Sequence, residues 1–265
     1  MPRGVSRYDE AQFQQRLWSP AVLRPNLWLD ADDLSTITTV SGAVSQWRDK
    51  GINARHAAQA TAAARPTLTT FNARNAILCD GIDDFLQGSA AITSGTYTGQ
   101  FNCFWVATRN AAGGGTILTE RTGSLVGVTQ AAVFAGANYI SSDGANPASN
   151  HTISNADYAK LSTSGGVVSH LHSPASRDQF FINGSSISVL AGTASNITGG
   201  GGGYFVSRRE SAGGYWPGII CEIIVMAATT TTPQRQDIEG YLAWKWGFQT
   251  SLASTHPYIN RPPLI

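Results

Sequence analysis

Short apolar runs alternate with polar turns along most of this chain, and one late stretch, residues 215–247, changes period. Residues 218–227 (GIICEIIVMA) are β-branched and apolar with a single carboxylate, Glu222, which predicts a strand buried on at least one face. Residues 228–232 have no apolar period and read as a connector. Thr232 is placed as the N-cap of a helix, with Pro233 at the first helical position, where its missing N–H would be unpaired anyway. Ile238, Tyr241, Leu242 and Trp246 recur at i, i+3, i+4 and i+8, giving one apolar stripe on an amphipathic C-terminal helix. Gly247 can close that helix in a left-handed conformation. A strand and a helix therefore lock together late in the chain, and what precedes them reads as sheet in need of closing.

Before residue 25 the pattern differs. Residues 8–18 predict a short helix with Phe13, Leu17 and Trp18 on one side, ended by Ser19-Pro20. A helix so short is marginal alone and must pack on its own domain or on another protein. Strands follow at 27–31 and 43–48, the latter with Val44 and Gln46 on one face and Ser45 and Trp47 on the other. Residues 49–65 read as a long surface loop. Residues 76–86 hold two strands about a turn at Asp80-Gly81, and 101–108 (FNCFWVAT) is the strongest aromatic strand. A hairpin about Thr122-Gly123 joins 116–120 to 125–129. Strands at 132–141, 166–172, 179–182, 187–190 and 204–208 complete the series, with Asn183-Gly184 as a strong turn. The run of glycines at 199–203 is a flexible loop or a tight backbone approach. Many short strands at hairpin spacing predict an all-β, antiparallel, two-sheet sandwich or jelly roll. No internal repeat or inter-domain linker is visible, so residues 25–265 form one domain behind an N-terminal segment, 1–24.

Composition agrees with this picture. Charged residues are 13% of the 265, against a usual share of about 25%. With 42% hydrophobic residues and 28 glycines, the chain suits many strands joined by turns. A net charge of +1 provides no field toward nucleic acid or membrane, and no apolar run approaches membrane-spanning length. Cys79, Cys103 and Cys221 cannot all pair within one chain; each lies in an apolar, strand-like run, which predicts buried reduced thiols. Residues 1–18 lack the apolar core of a secretory leader, so synthesis in a reducing cytosol is expected.

Candidate chemistry is sparse. There is no G-x-S-x-G, no P-loop lysine and no strand–GxGxxG–helix context. A glycosidase needs two carboxylates roughly 5–10 Å apart. Asp30/Asp32 and Asp49 stand near strand ends, and Glu222 is alone on its strand. Asp80, Asp83 and Asp84 cluster about a glycine turn, where capping by their side chains is the ordinary role and calcium the alternative, without EF-hand spacing. His170 and His172 share a strand face; a metal pair would need a third ligand, and an ordinary half-exposed strand is expected. No catalytic residue, metal or cofactor is assigned. Tyr97, Tyr139, Tyr204, Tyr215 and Trp216 sit in or beside loops, and Tyr139, Tyr204, Tyr215 and Trp216 are the candidate glycan contacts, with packing as the alternative role.

The motifs PNLWLDADDLSTI (25–37), VSQWRDKGINARHA (44–57), RPTL (65–68), CDGIDDFL (79–86), FFING (180–184), GIICEIIVMA (218–227), IEGYLAWKWGF (238–248) and HPY (256–258) follow one another in order. From residue 25 onward the chain thereby resembles the concanavalin A-like (laminin G-like) jelly-roll domains of structural proteins of tailed bacteriophages. The resemblance implies two antiparallel sheets face to face, closed by the C-terminal helix. Members of this fold are often carbohydrate-binding or purely structural. Glucanases on it carry E-x-D-x-x-E, which is absent here. The resemblance therefore implies a non-enzymatic virion protein: a capsid decoration or cement protein, a spike, or a tail-associated protein. It would be made in the host cytoplasm and reside in the virion. A carbohydrate-binding adhesin for host attachment is the alternative, and a glycan hydrolase the third reading. The expected partners are other virion proteins of capsid or tail, a host-surface glycan and further copies of the chain. Segment 1–24 lies outside the resemblance and reads as an attachment segment, with Phe13, Leu17 and Trp18 as candidate particle-docking residues.

Overall fold

The computed structural model describes residues 16–92, 101–110, 115–120, 130–134, 137–141, 150–153, 165–172, 178–191, 202–209 and 213–265. Two antiparallel neighbours, Phe101–Arg109 and Pro217–Met226, form the middle of the larger sheet. All nine residues of the first are buried, because both of its faces are covered. Cys103 and Trp105 on one face join Ile223 and Val225 of the neighbour in the main core, with Leu29, Val44, Trp47 and Phe180. Phe104, Val106 and Ile224 face the other way, onto Ile238, Leu242 and Trp246 of the helix. On one side the sheet continues through Arg74–Asp80 and Thr67–Phe71 to Ala43–Trp47. On the other lie Gly166–His172 and Gln179–Ile182. Leu27–Asp30 also pairs with Pro217–Met226. A second, five-stranded sheet runs in the order Val189–Ala191, Asn150–Ile153, Ala137–Ser141, Gln130–Phe134, Gly115–Thr116. Among the described residues the fold is the expected one: antiparallel β pairing, with one α-helix near the C-terminus.

Two bulges decide which side chains face inward. In the hairpin of Ile37–Val40 with Ala43–Trp47, Gln46 opposes Thr38 while Val44 opposes Thr39, so Ser45 is the extra residue. A bulge resets the alternation of a strand. Val44 and Trp47 therefore both reach the core, which corrects the strict alternation expected for this strand. In the central strand Cys221 is the extra residue, between Ile220 opposite Ala107 and Glu222 opposite Val106. Cys221 joins the layer under the helix, and Glu222 bonds Tyr241 and Trp246 of that helix. All three cysteines are free and buried.

The helix spans Thr232–Trp246, and its N-cap is Thr231, one residue earlier than expected. The shift follows from Gln234, which completes a reciprocal capping box with Thr231. Gly247, at φ 82°, closes the helix left-handed. Beyond the apolar stripe, Arg235, Glu239 and Gly240 are also buried. Glu239 accepts hydrogen bonds from Ser169 Oγ and Arg235 Nη1, both at 2.7 Å, and faces His256 Nε2 at 3.2 Å. A Cβ at position 240 would stand 2.5 Å from the Tyr258 ring, so glycine lets the C-terminal segment close over the helix.

The predicted helix over 8–18 does not reach its expected end. Residues 16–18 are extended: Leu17 bridges Leu264, Trp18 N–H donates to Pro263 O at 3.0 Å, and Ile265 N–H to Arg16 O at 2.9 Å. The termini thus form a short ladder, and backbone so paired cannot also close helical turns. Phe13, Tyr97, the hairpin about Thr122-Gly123 and most of the glycine run fall outside the described residues. At the end of that run Gly203 has φ 89° and its Cβ would lie 2.2 Å from Gly88 O, which is a close backbone approach.

His170 and His172 are buried in the sandwich rather than half-exposed, because Asp178 provides a partner for both. His170 Nε2 and His172 Nδ1 lie 2.6 and 2.8 Å from its two oxygens. His170 stacks on Phe180 and His172 on Phe101. Burial lowers the His170 pKa against the opposing pull of Asp178. Burial would raise Asp178, but the bonds from both histidines outweigh it and hold the carboxyl low. An unfolded chain takes up protons first at both groups, so the two act in the same direction. Stability should decline as pH falls below about 6.5, where an unfolded histidine charges, and again below about 4, where an unfolded aspartate does. Melting temperatures between pH 7.5 and 3.5 measure this, and His170→Gln should flatten the upper part of the curve. A flat wild-type profile would count against it.

Candidate functional site

Glu222 and Asp30 face each other in register across adjacent strands. Sequence reasoning saw Glu222 as solitary, because its carboxylate neighbour lies 192 positions earlier in the chain. Glu222 Oε1 accepts from Trp28 Nε1 at 2.7 Å and Tyr241 OH at 3.1 Å. Its Oε2 accepts from Lys245 Nζ and Trp246 Nε1, both at 2.8 Å. Lys245 Nζ also donates to Asp30 Oδ1 at 2.5 Å, and Lys50 Nζ to Asp30 Oδ2 at 2.9 Å. Burial raises the Glu222 pKa, Asp30 adds to the rise, and Lys245 opposes both. The helix supplies Tyr241 and Lys245 four residues apart, on one face. With side chains 4% and 0% exposed, the two carboxylates are a saturated floor that positions Tyr241 and Lys245.

Above this floor opens a cleft of about 340 Å³. The helix contributes Tyr241, Trp244 and Lys245; the terminal ladder contributes Leu17, Trp18, Pro262 and Pro263; Arg74 completes the lining. Trp18 meets Tyr241 edge to face at 6.2 Å, and Trp244 Nε1 is anchored to Tyr258 O at 2.7 Å. Arg74 Nη1 donates to Asp32 Oδ2 at 2.6 Å. Burial raises the Tyr241 pKa, so its hydroxyl stays protonated and bound to Glu222. Among the described residues the cleft therefore combines three rings and a half-exposed guanidinium, with no carboxylate in the lining.

The residues expected at a glycan surface do not assemble there. Tyr204 is completely buried in the main core and its hydroxyl donates to Arg55 O. Trp216 is 2% exposed, with Nε1 donating to Thr108 O at 3.0 Å. Both are corrected from glycan contacts to packing residues: the strand Tyr204–Val206 turns Tyr204 inward, and Trp216, just before the strand Pro217–Met226, is buried with its indole bonded to Thr108. Tyr215 is half-buried near Phe85. Tyr139 pairs with Ala132 and Thr152 in the five-stranded sheet, and its side chain is outside the described residues. Of the docking candidates, Leu17 lines the cleft and is 68% exposed, whereas Trp18 is buried against the helix layer. Arg74, Trp244 and the two prolines were not singled out from the sequence; the signal was the spacing of Tyr241, Trp244 and Lys245, three and four apart on one helix.

Asp80, Asp83 and Asp84 are the one acidic cluster of this kind among the described residues, their nearest oxygens within 4.8 Å. Asp80 Oδ1 accepts the backbone N–H groups of Ile82, Asp83 and Asp84, and Asp84 Oδ2 accepts that of Asp80. Burial raises Asp84 to about 6, with Asp80 and Asp83 adding to the rise. These bonds make the cluster a capped turn, and Gly81, at φ 78° against Pro217, completes it.

No protein-family model matches this chain, and no curated protein matches it in sequence. Solved structures do match in fold. A Trypanosoma rangeli sialidase in complex with sialic acid is similar over 83% of this chain and 33% of its own, with 10% identity and a TM-score of 0.54. Domain 4 of an extracellular arabinanase from Geobacillus stearothermophilus, in complex with arabinotriose, is similar over 82% of this chain and 98% of its own, with 10% identity and a TM-score of 0.51. The chain thus spans about a third of the length of the sialidase. At such identity the likeness is one of fold. It nevertheless overturns the expectation that the chain is not an enzyme: that expectation leaned on the fold and on missing motifs, and chains sharing the fold include those of sialidases.

Proposed function

We propose that this chain is a carbohydrate-recognition β-sandwich and that its glycan sits in the cleft over Tyr241. The observation that carries this reading is the cleft itself. Trp18, Tyr241 and Trp244 converge there beside the Arg74 guanidinium. Largely apolar walls with a few placed polar groups are the usual make-up of a ligand site. The arabinanase domain crystallised with arabinotriose, similar over almost its whole length, supports the same reading. The setting we propose is the virion of a tailed bacteriophage, on capsid or tail, where the glycan would belong to the host surface. The ordered motifs from PNLWLDADDLSTI to HPY support that setting.

The test is a glycan array with the full chain, followed by calorimetry on the best ligand. Binding that Trp244→Phe preserves and Trp244→Ala weakens by about tenfold would match a sugar stacked on an aromatic face. No binding across bacterial surface glycans, or binding indifferent to Trp244, would overturn the reading. A reducing-end assay on each bound glycan measures whether recognition is accompanied by cleavage.

A further inference from the structure

Every polar group beneath the cleft is already committed. Lys245 Nζ makes three bonds, to Asp30, Glu222 and Tyr241. Tyr241 OH donates to Glu222, and Trp244 Nε1 donates to Tyr258 O. What remains to meet a ligand comes from Arg74. Arg74 uses only Nη1, toward Asp32, and its side chain is 41% exposed. Asp32 is held in turn by the Asn75 N–H at 3.2 Å, so the ion pair fixes the guanidinium plane without using its Nε–Nη2 edge. That edge is a two-donor fork of the shape that takes a carboxylate bidentately. Around it stand aromatic and proline faces, and among the described residues no carboxylate lines the cleft.

We propose that the cleft selects a sugar bearing a carboxylate, of the uronic acid class, with the ring against Trp244 and the carboxylate on the open edge of Arg74. This deepens the carbohydrate reading and rests on it. A neutral sugar would leave the open guanidinium edge solvated, so stacking alone would hold it. A free carboxylate without a ring would gain the fork but not the walls, and the local carboxylates of Asp30, Asp32, Asp33 and Glu222 would oppose it. Ring and carboxylate are therefore required together.

The experiment compares trigalacturonic acid with its methyl ester, which keeps the rings and removes the charge, by calorimetry on the full chain at low salt. The expected result is about tenfold or more tighter binding of the acid, since charge-assisted bonds are the strong ones. That preference should weaken with added salt and disappear in Arg74→Gln while the ester binds unchanged; Arg74→Lys, which keeps charge but loses the fork, should fall between. Sodium acetate at the same concentration should not compete. Equal binding of acid and ester, or a preference that survives Arg74→Gln, overturns this proposal and leaves carbohydrate recognition standing. Failure of the chain to bind any array glycan overturns both. A melting temperature for Arg74→Gln within a few degrees of wild type confirms that the variant reports on the site.

Discussion

Lys245→Ala should cost the fold about 3–5 kcal/mol, the range for removing one partner of a buried ion pair. Lys245 is the cation shared by Asp30 and Glu222, at 2.5 and 2.8 Å, and its side chain is 13% exposed. Without it two carboxylates remain face to face, one of them completely buried. The Lys50 ammonium pairs with Asp30 and Asp33 and lies over the Trp28 ring, so it is engaged away from Glu222. The variant also has a pH signature. Glu222 is already raised by burial and by Asp30, and loss of Lys245 removes the group that opposes the rise. A carboxyl raised in the native state binds its proton there before it does in the unfolded chain. Its contribution is present at low pH and lost as pH rises through the native pKa. The deficit of Lys245→Ala, read from urea midpoints, should therefore be larger at pH 8 than at pH 5. A deficit under about 1 kcal/mol at pH 8 would mean that the pair does not depend on its lysine. Glu222→Gln added to Lys245→Ala should recover part of the loss, because it removes one of the two stranded charges.

How much of this was legible before the structure depends on the range of each interaction. The closing strand and helix were readable because the 3.6 period and the terminal glycine are local features. The N-cap moved by one residue because Thr231 and Thr232 are chemically alike and only the reach of Gln234 distinguishes them. Trp47 was assigned away from Val44 because a bulge is a property of the strand pair, set by how Thr38 and Thr39 align. The aspartates of CDGIDDFL and the Asn183-Gly184 turn did declare themselves, since turn chemistry is written in neighbouring residues. Asn183, with φ 50° and Oδ1 accepting the Val167 N–H, and Gly184, with φ 76°, behave as that dipeptide does in tight hairpins.

The cleft was not legible, for the same reason. Its walls come from residues 17–18, 74, 241–245 and 262–263, and nothing in any one stretch announces the others. Loop aromatics were a poor guide: Tyr204 and Trp216 are core residues, while Trp244, on the helix, lines the opening. Much of what carried the family resemblance turns out to hold the fold together. Asp49 binds the backbone N–H groups of Trp28, Gly51 and Arg55. Glu239 ties the helix to Ser169 and His256. Motifs of this kind report architecture, and function has to be argued from the site.

Trp246 is the largest of the completely buried helix side chains, and Trp246→Ala should be as damaging as loss of Lys245, at about 3–5 kcal/mol for a buried aromatic truncated to alanine. The indole is completely buried, beside Ile238, Leu242 and Phe248 in the layer under the helix. It has two separable roles. One is volume between helix and sheet. The other is the Nε1–H donated to Glu222 Oε2 at 2.8 Å. Trp246→Phe retains most of the volume and removes the donor, so it should cost about 1–3 kcal/mol, the usual effect of leaving a buried acceptor short of a bond. The ordering wild type, Phe, Ala in denaturant midpoints is the expected result, with the slope of each transition unchanged. The two roles also predict coupling with Glu222. Trp246→Phe in a Glu222→Gln background should cost less than in wild type, because a neutral amide has less to lose than a buried carboxylate. If Trp246→Ala and Trp246→Phe cost the same, packing is not what the indole supplies; if Trp246→Phe costs nothing, the bond to Glu222 does not stabilise the floor of the cleft.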